Sequence, residues 1–275
     1  MSRFGARARL FAALIFTVAV VAGCAPKPTT GTVQPDPDFV PTFGWWAAGD
    51  SIFSGSSNYL GTPRYLDDVL NIAVGGRTLA PVTILGSVQP TIRGHIFGRL
   101  GAYGVPEKMV IHGGGADLFA KQVWQADISY ERIMEEIVSL DEWLTGLGIE
   151  VWWTTIVPSA SWGTVAPQNA FRLRVNDGLR ELLPERLIDC ESTLIDPLNQ
   201  TWLNTAYQIP HDGVHLNGAG ALAQARCISA ATGIPIAPWV EGGTAPDPGG
   251  DDPSDDPSDD PSDAPSGVLL DGSAG

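Results

Sequence analysis

"FGWWAAGDS", residues 43–51, decides how the rest of the chain is interpreted. An apolar run without helical spacing leads into Gly49, Asp50 and Ser51. A short, continuous apolar run that ends in glycine and polar residues is typical of a buried strand in a parallel sheet. The stretch therefore predicts a first strand that ends at Gly49 and brings Ser51 to the edge of a sheet. Ser51 is then either a nucleophile or the cap of the next turn.

Four further apolar runs resemble the first, and segments with helical spacing separate several of them. The predicted strands cover residues 43–49, 69–75, 108–114, 149–157 and 186–190, and the predicted helices cover residues 128–145, 168–183 and 218–232. Strands that alternate with helices and are rich in Val, Ile and Trp indicate a sheet with helices on both faces. We therefore predict an α/β fold, namely a three-layer α/β/α sandwich with a parallel, flavodoxin-like five-stranded sheet.

The first 23 residues have the form of an export signal. Three arginines precede an apolar run from Leu10 to Ala22, and small residues follow before Cys24. The segment Val21–Cys24, "VAGC", resembles the bacterial lipobox, which implies that Cys24 is lipidated and anchors the chain to the membrane. The alternative is an ordinary secretory signal with an incidental cysteine. We expect an extracytoplasmic protein, lipid-anchored to the cell membrane, or secreted if the lipobox is not used.

Composition divides the remainder of the chain into three parts. Residues 24–41 are rich in Pro and Thr and predict a tether, and residues 42–240 predict one globular domain. Residues 241–275 predict an acidic, disordered tail with DDPS repeats. Residues 240–275 contain Glu241, nine Asp and no Lys or Arg, so most of the net charge of −15 lies in this part of the chain. The scattered basic residues elsewhere give no footprint for nucleic acid. We expect a monomer that does not bind nucleic acid.

Polar residues follow several of the predicted strands and precede the last helix, where ligands bind in parallel α/β sheets. Three segments, residues 49–51, 71–78 and 212–215, carry a G-D-S triplet, an asparagine followed by a glycine, and a D-x-x-H sequence. In this order they resemble the blocks of the SGNH or GDSL-type hydrolases. The resemblance covers roughly residues 43–232 and implies a serine hydrolase that cleaves ester bonds.

A serine hydroxyl needs a base to act as a nucleophile near neutral pH. His215 can supply the base for Ser51, and Asp212, three residues earlier, can hold the imidazole in the productive tautomer. The resemblance assigns the backbone N–H groups of Ser51 and Gly76 to the oxyanion hole. We therefore predict Ser51, Asp212 and His215 as the catalytic residues.

One block departs from the family pattern. The third block of the family, G-x-N-D, supplies an asparagine side chain to the oxyanion hole, and Ala116 occupies that place here. A methyl group donates no hydrogen bond, and loss of one such donor typically slows an enzyme about 100- to 1,000-fold. The departure indicates either a slow hydrolase or one that recruits another donor.

Cysteine and histidine usage bounds the remaining chemistry. Cys190 and Cys227 are an even pair in a chain that has left the cytoplasm, so we predict a disulfide; the alternative is two buried thiols. "HDGVH", His211 to His215, has the histidine spacing of a helical zinc motif, but Gly213 and the preceding proline argue against a helix. We predict no metal and no cofactor. Of the tryptophans near predicted loops, one or two are candidates to line a groove.

These observations favour an esterase that acts on O-acetyl or short-acyl esters, with an acylated glycan or a lipid as substrate. The alternative is a catalytically weak or inactive envelope lipoprotein of the same fold that binds a glycan or protein partner. The departure at Ala116 motivates the alternative, whereas the presence of Ser51, Asp212 and His215 favours the enzyme.

Overall fold

A five-stranded parallel sheet forms the centre of the protein in the computed structural model, which describes residues 43–56, 59–84, 86–159, 166–210 and 212–241. The strands are β1 (Trp45–Gly49), β2 (Val69–Asn71), β3 (Lys108–His112), β4 (Glu150–Thr154) and β5 (Leu187–Ile188). They lie in the order β2-β1-β3-β4-β5, and every pair is parallel. This order confirms the predicted flavodoxin-like sheet.

Seven α-helices accompany the sheet among the described residues. They are α1 (Ser51–Ser54), α2 (Ile92–Tyr103), α3 (Gly115–Val123), α4 (Tyr130–Gly146), α5 (Ala166–Leu182), α6 (Glu191–Leu194) and α7 (Gly218–Thr232). Short 3-10 helices cover Thr62–Tyr65, Thr205–Tyr207 and Pro238–Glu241, and two-stranded antiparallel pairs join Gly55–Ser56 to Tyr59–Leu60, Thr83–Ile84 to Ser87–Val88, and Ile195–Asp196 to Asn199–Leu203.

Successive strand residues point to opposite sides of the sheet. Helices cover the side chains on both sides. Trp46 belongs to an apolar cluster with residues of α2, α4 and α5, whereas its neighbour Ala47 belongs to a second cluster with residues of α1, α6 and α7. Trp46 and Trp153 are among the largest fully buried side chains. The two clusters confirm the predicted three-layer sandwich.

The secondary structure differs from the sequence-based expectation in several elements. The predicted strand 69–75 ends at Asn71, and the predicted strand 108–114 ends at His112. Helices α1, α3 and α6 were not among the predicted helices. The predicted strand 149–157 ends at Thr154, and Ile156 and Val157 continue as buried loop. Helix α2, which carries Gly94, Gly98 and Gly101, was not among the predicted helices. Apolar residues indicate burial rather than strand pairing, and tertiary packing overrides the poor helix propensity of glycine.

A disulfide between Cys190 and Cys227 joins the loop after β5 to helix α7. Closing this loop stabilises the fold by about 3 to 4 kcal/mol in the chain-entropy model. The predicted signal peptide, the lipidation site Cys24, the tether, most of the acidic tail, His211 and Trp162 lie outside the described residues. Within the part of the chain that the structure describes, no helix has the length and apolar character needed to cross a membrane.

Candidate active site

The turn after β1 presents Ser51 at the carboxyl edge of the sheet. Gly49 fits there because a Cβ atom would overlap the carbonyl oxygen of His112 on the adjacent strand. Asp50 caps helix α1: its Oδ1 accepts a hydrogen bond from the N–H of Ile52 at 3.1 Å, and its Oδ2 accepts from the N–H of Ala116 at 3.3 Å. Ser51 is therefore the first residue of α1, and the interpretation of Ser51 as the cap is wrong.

Asn71 fixes this turn from the neighbouring strand. Its Nδ2 donates to the carbonyl of Phe53 at 2.9 Å, and its Oδ1 accepts from the N–H of Ala73 at 3.1 Å. The side chain is buried, so these bonds are not exchanged with water. Asn71 thus ties helix α1 to the end of β2.

The loop before α7 brings Asp212 and His215 to Ser51. Asp212 Oδ1 accepts hydrogen bonds from the N–H groups of Val214 and His215, at 2.8 and 3.0 Å, which fixes the loop. Asp212 Oδ2 lies 2.8 Å from His215 Nδ1, and His215 Nε2 lies 2.8 Å from Ser51 Oγ. A carboxylate acceptor places the imidazole proton on Nδ1 and leaves Nε2 to accept the hydroxyl proton.

The same contacts determine the charge of Asp212. Partial burial alone raises its pKa, but hydrogen bonds from the His215 imidazole and from the N–H groups of His215 and Val214 outweigh burial, so the pKa lies below the ordinary value. Asp212 therefore stays ionised near neutral pH. An ionised carboxylate at this position stabilises the imidazolium that forms when His215 takes a proton.

Two buried titratable groups lie behind the site. The His112 ring stacks on Phe53, with ring centroids 5.2 Å apart, and its Nδ1 lies 2.7 Å from Thr154 Oγ1; burial lowers the pKa of His112 despite the nearby carboxylate of Asp50. Burial raises the pKa of Asp117 to about 7, although two backbone N–H groups donate to its carboxylate. Neither side chain lines the cleft beside Ser51, so both support the site from within the fold.

Two backbone N–H groups are available where an oxyanion would form. Gly76 adopts a φ of +74°, a backbone conformation that favours glycine, and it lines the cleft together with Ser51. Neither the Ser51 nor the Gly76 amide donates to another residue in the described ranges. Ala116 also lines the cleft, but its own N–H is directed to Asp50.

A cleft of about 450 Å³ opens beside Ser51. Trp124 is 49% exposed, and its ring meets that of Phe119 edge to face, with ring centroids 5.2 Å apart. The size is within the range of small-molecule sites. The apolar side chains of its wall are Ile52, Phe119, Trp124, Val157 and Val214.

The structure adds two positioning residues that the motifs did not reveal. The Tyr59 ring lies 5.2 Å from the His215 ring, and its hydroxyl donates to the carbonyl of Ser51 at 3.3 Å. Ser159 Oγ donates to the carbonyl of Gly213 at 2.5 Å and so braces the loop that carries His215. The contacts with His215 and Gly213 join residues distant in sequence, and neither Tyr59 nor Ser159 belongs to a motif.

The structure also reports on the remaining candidates. Trp124 lines the cleft, whereas Trp239 packs on Tyr65 with ring centroids 5.1 Å apart and Trp202 lies in the strand Asn199–Leu203. Within the described ranges, no group of three or more His, Cys, Asp or Glu side chains could hold a metal ion. Of the two histidines in "HDGVH", the structure describes His215, which bonds to Ser51 and Asp212.

No protein-family model matches the chain, and no curated protein sequence does either. Among solved structures, a lipase from a goat rumen metagenome has a TM-score of 0.50 at 14% identity, with 70% of this chain and 98% of the lipase covered. The C-terminal domain of the Drosophila Oskar protein has a TM-score of 0.50 at 15% identity, with 74% of this chain and 98% of that domain covered. A GDSL-like lipase from Bacteroides thetaiotaomicron has a TM-score of 0.49 at 17% identity, with 68% and 86% covered.

These likenesses concern the fold alone, because every identity is low. The two structures with a TM-score of 0.50 support the α/β fold that the sequence predicts. A fold does not assign an activity, since one fold hosts many functions. The chemistry of this protein has to be argued from its own side chains.

Proposed function

We propose that this chain with the SGNH/GDSL fold is a serine hydrolase of carboxylic esters. The observation that carries the proposal is the run of two 2.8 Å contacts, from Asp212 through His215 to Ser51. The three groups stand in the order that activates a serine hydroxyl, and all three line the cleft.

The first half-reaction follows from these contacts. Ser51 Oγ attacks the ester carbonyl while its proton passes to His215 Nε2, and the carbonyl π electrons move to the oxygen. The Ser51 and Gly76 N–H groups face that oxyanion. Collapse of the intermediate breaks the bond to the alcohol, which takes the proton from His215 and leaves an acyl group on Ser51.

The second half-reaction repeats these steps with water. His215 accepts a proton from a water molecule that attacks the acyl carbonyl, and then returns the proton to Ser51 Oγ as the acid departs. Asp212, held ionised by its hydrogen bonds, stabilises the imidazolium in both halves. These reaction steps require no cofactor.

The cleft supports a substrate class for the acyl side. Its volume of about 450 Å³ exceeds what an acetyl group fills, and the wall that includes Phe119 and Trp124 is apolar. Apolar surface favours an acyl or aryl group over a sugar ring. We propose that esters of longer acyl groups are better substrates than acetyl esters, with a lipid or acylated glycan as the natural source.

The compartment of the protein is part of the proposal. The lipobox-like "VAGC" segment supports attachment through Cys24 to the outer face of the cell membrane. A Cys24→Ala variant should move from the membrane fraction to the soluble fraction after expression in a bacterium that processes lipoproteins. A variant that remains in the membrane fraction would show that Cys24 is not the anchor.

Hydrolysis of p-nitrophenyl acetate, butyrate and octanoate tests the function. The protein should hydrolyse these esters, and Ser51→Ala and His215→Ala should each remove the activity. Ser54→Ala is the matched control, because Ser54 lies on the same helix and its Oγ bonds to the Gly55 carbonyl. An inactive but folded wild-type protein would instead support the non-catalytic binding protein that the methyl group of Ala116 suggests. Full activity in Ser51→Ala would show that Ser51 is not the nucleophile.

A further inference from the structure

A second groove, of about 600 Å³, follows the outer face of helix α2. It begins at Arg77, the residue directly after Gly76, and Gly76 lines the cleft beside Ser51. Helix α2 starts at this edge of the sheet, since the N–H of Ile92 donates to the carbonyl of Thr78. The two openings are therefore lined by consecutive residues, Gly76 and Arg77, of the turn after β2.

The groove is basic in an acidic protein. The chain has 31 acidic and 16 basic residues, yet residues 69–106 contain no Asp or Glu and carry Arg77, Arg93 and Arg99. Arg93 packs away against α4, where it donates to Ser139 Oγ at 2.8 Å and lies over the Trp143 ring. The two other arginines line the groove together with His95, and none of the described residues that line it carries a carboxylate.

Contacts within helix α2 hold the Arg99 side chain in place before any ligand arrives. Arg99 Nε donates to His95 Nε2 at 3.4 Å, and the Arg99 guanidinium lies 5.9 Å from the centroid of the Tyr103 ring. Arg77 and Arg99 are half-buried, so their charges are less screened than those of a fully exposed side chain. Guanidinium groups suit carboxylate and phosphate because their N–H donors form a planar fork.

Glycines on α2 keep the groove open. Gly94 and Gly98 line it, although each glycine inside a helix costs about 1 kcal/mol relative to alanine. A Cβ atom at Gly98 would have no atom within 4 Å, so packing inside the fold does not require glycine there. The bare helix face leaves room for a ligand between the basic side chains.

We propose that this groove binds an anionic group, carboxylate or phosphate, on the alcohol side of the ester that Ser51 cleaves. The assignment to the alcohol side rests on the proposed function, because the acyl group occupies the apolar cleft. The binding of the anion itself does not rest on catalysis. The natural ester then has an apolar acyl group and a negatively charged alcohol.

Calorimetric titration of the Ser51→Ala variant tests the site without turnover. The probes are trigalacturonic acid for carboxylate, sn-glycerol 3-phosphate for phosphate, and neutral maltotriose. We expect at least one anion to bind, maltotriose not to bind, and the anion affinity to fall as salt rises. Adding Arg77→Gln or Arg99→Gln should weaken binding about tenfold or more, since each removes a charged hydrogen-bond donor.

Two pairs of variants separate the groove from charge in general. Gly98→Glu should abolish anion binding by filling the groove with a carboxylate, whereas Gly98→Ala should not. Arg132→Gln, a change of equal charge on α4, should leave binding unchanged, because Arg132 pairs with Glu136 there. Absence of binding by both anions, or equal binding in the Arg77, Arg99 and Gly98→Glu variants, overturns the proposal. If the protein binds the anions but hydrolyses no ester, the proposed anion site is supported and the proposed esterase activity is contradicted.

Discussion

The Nε2 atom of His215 lies 2.8 Å from the Oγ atom of Ser51, although 164 positions separate the two residues. The loop between Ile209 and α7 is fixed by Asp212, and the turn after β1 is fixed by Asp50 and Asn71. Each partner is therefore oriented by its own local hydrogen bonds before the two meet. This arrangement is preorganised for proton transfer from the serine hydroxyl.

Changing Asp212 to asparagine should lower kcat about 10,000-fold while the fold remains intact. The asparagine amide can donate to Nδ1 of His215, which places the ring proton on Nε2, where it can no longer accept the proton of Ser51. Kinetics on p-nitrophenyl butyrate, with circular dichroism as the check on folding, measure the effect. A loss of less than tenfold would show that Asp212 does not set the tautomer.

Changing Ala116 to asparagine should raise kcat on activated esters at least tenfold, towards the roughly 100-fold that one oxyanion donor contributes. Ala116 lines the cleft, so its side chain lies where a third donor is missing. Ala116→Leu is the matched control, because it has similar size and donates no hydrogen bond. Equal rates in the asparagine variant and the wild type would indicate that another group already fills this role.

Changing Trp124 to alanine should lower kcat/KM about tenfold for p-nitrophenyl octanoate and less than twofold for the acetate. The half-exposed ring offers apolar surface that only the longer chain reaches, and burial of about 60 Å² is worth roughly this factor. Leu198→Ala, at a residue that is 97% exposed and does not line the cleft, is the control. A uniform loss across the ester series would remove Trp124 from the acyl site.

The raised pKa of Asp117 predicts how stability depends on pH. Burial raises the pKa of Asp117 to about 7 from a value of 3.8 in an unconstrained chain. Between these values the folded protein keeps a proton that the unfolded chain has released, so the contribution of Asp117 to the free energy of unfolding falls as pH rises from about 4 to 7 and levels off above.

Urea unfolding of the wild type and Asp117→Asn at pH 5 and pH 7 measures this contribution. Asparagine does not titrate, so the variant should lose less stability than the wild type over this interval. Asp177→Asn, at an exposed side chain on α5, should behave like the wild type. Parallel losses in the wild type and Asp117→Asn would contradict a raised pKa.

Much of the fold could be predicted because burial leaves a periodic signature in the sequence. The last helix was predicted at residues 218–232 and is found at Gly218–Thr232, where Asn217 caps its start and Gly233 its end. Helix α2 was missed because three glycines weaken its local signal. Helix α2 forms because Ile92, Ile96 and Leu100 pack against the sheet, and this packing cannot be predicted from local sequence.

The candidate site likewise contains residues that could be predicted from the sequence and residues that could not. Ser51, Asp212 and His215 belong to short motifs with fixed chemistry, so the sequence named the residues that the structure brings together. Tyr59 and Phe119 carry no motif, and their place beside the site follows from how distant segments pack. The basic groove was missed for a related reason: Arg77 and Arg99 are scattered in sequence and converge only when α2 packs beside the turn after β2.

Covalent labelling with a fluorophosphonate, located by peptide mass spectrometry, tests the central claim most directly. Only an activated serine beside an oxyanion site reacts readily with this reagent. The account predicts one added group, on the peptide that contains Ser51, no labelling of His215→Ala, and normal labelling of Ser54→Ala. A folded wild-type protein that stays unlabelled, or that is labelled at a serine other than Ser51, would contradict it.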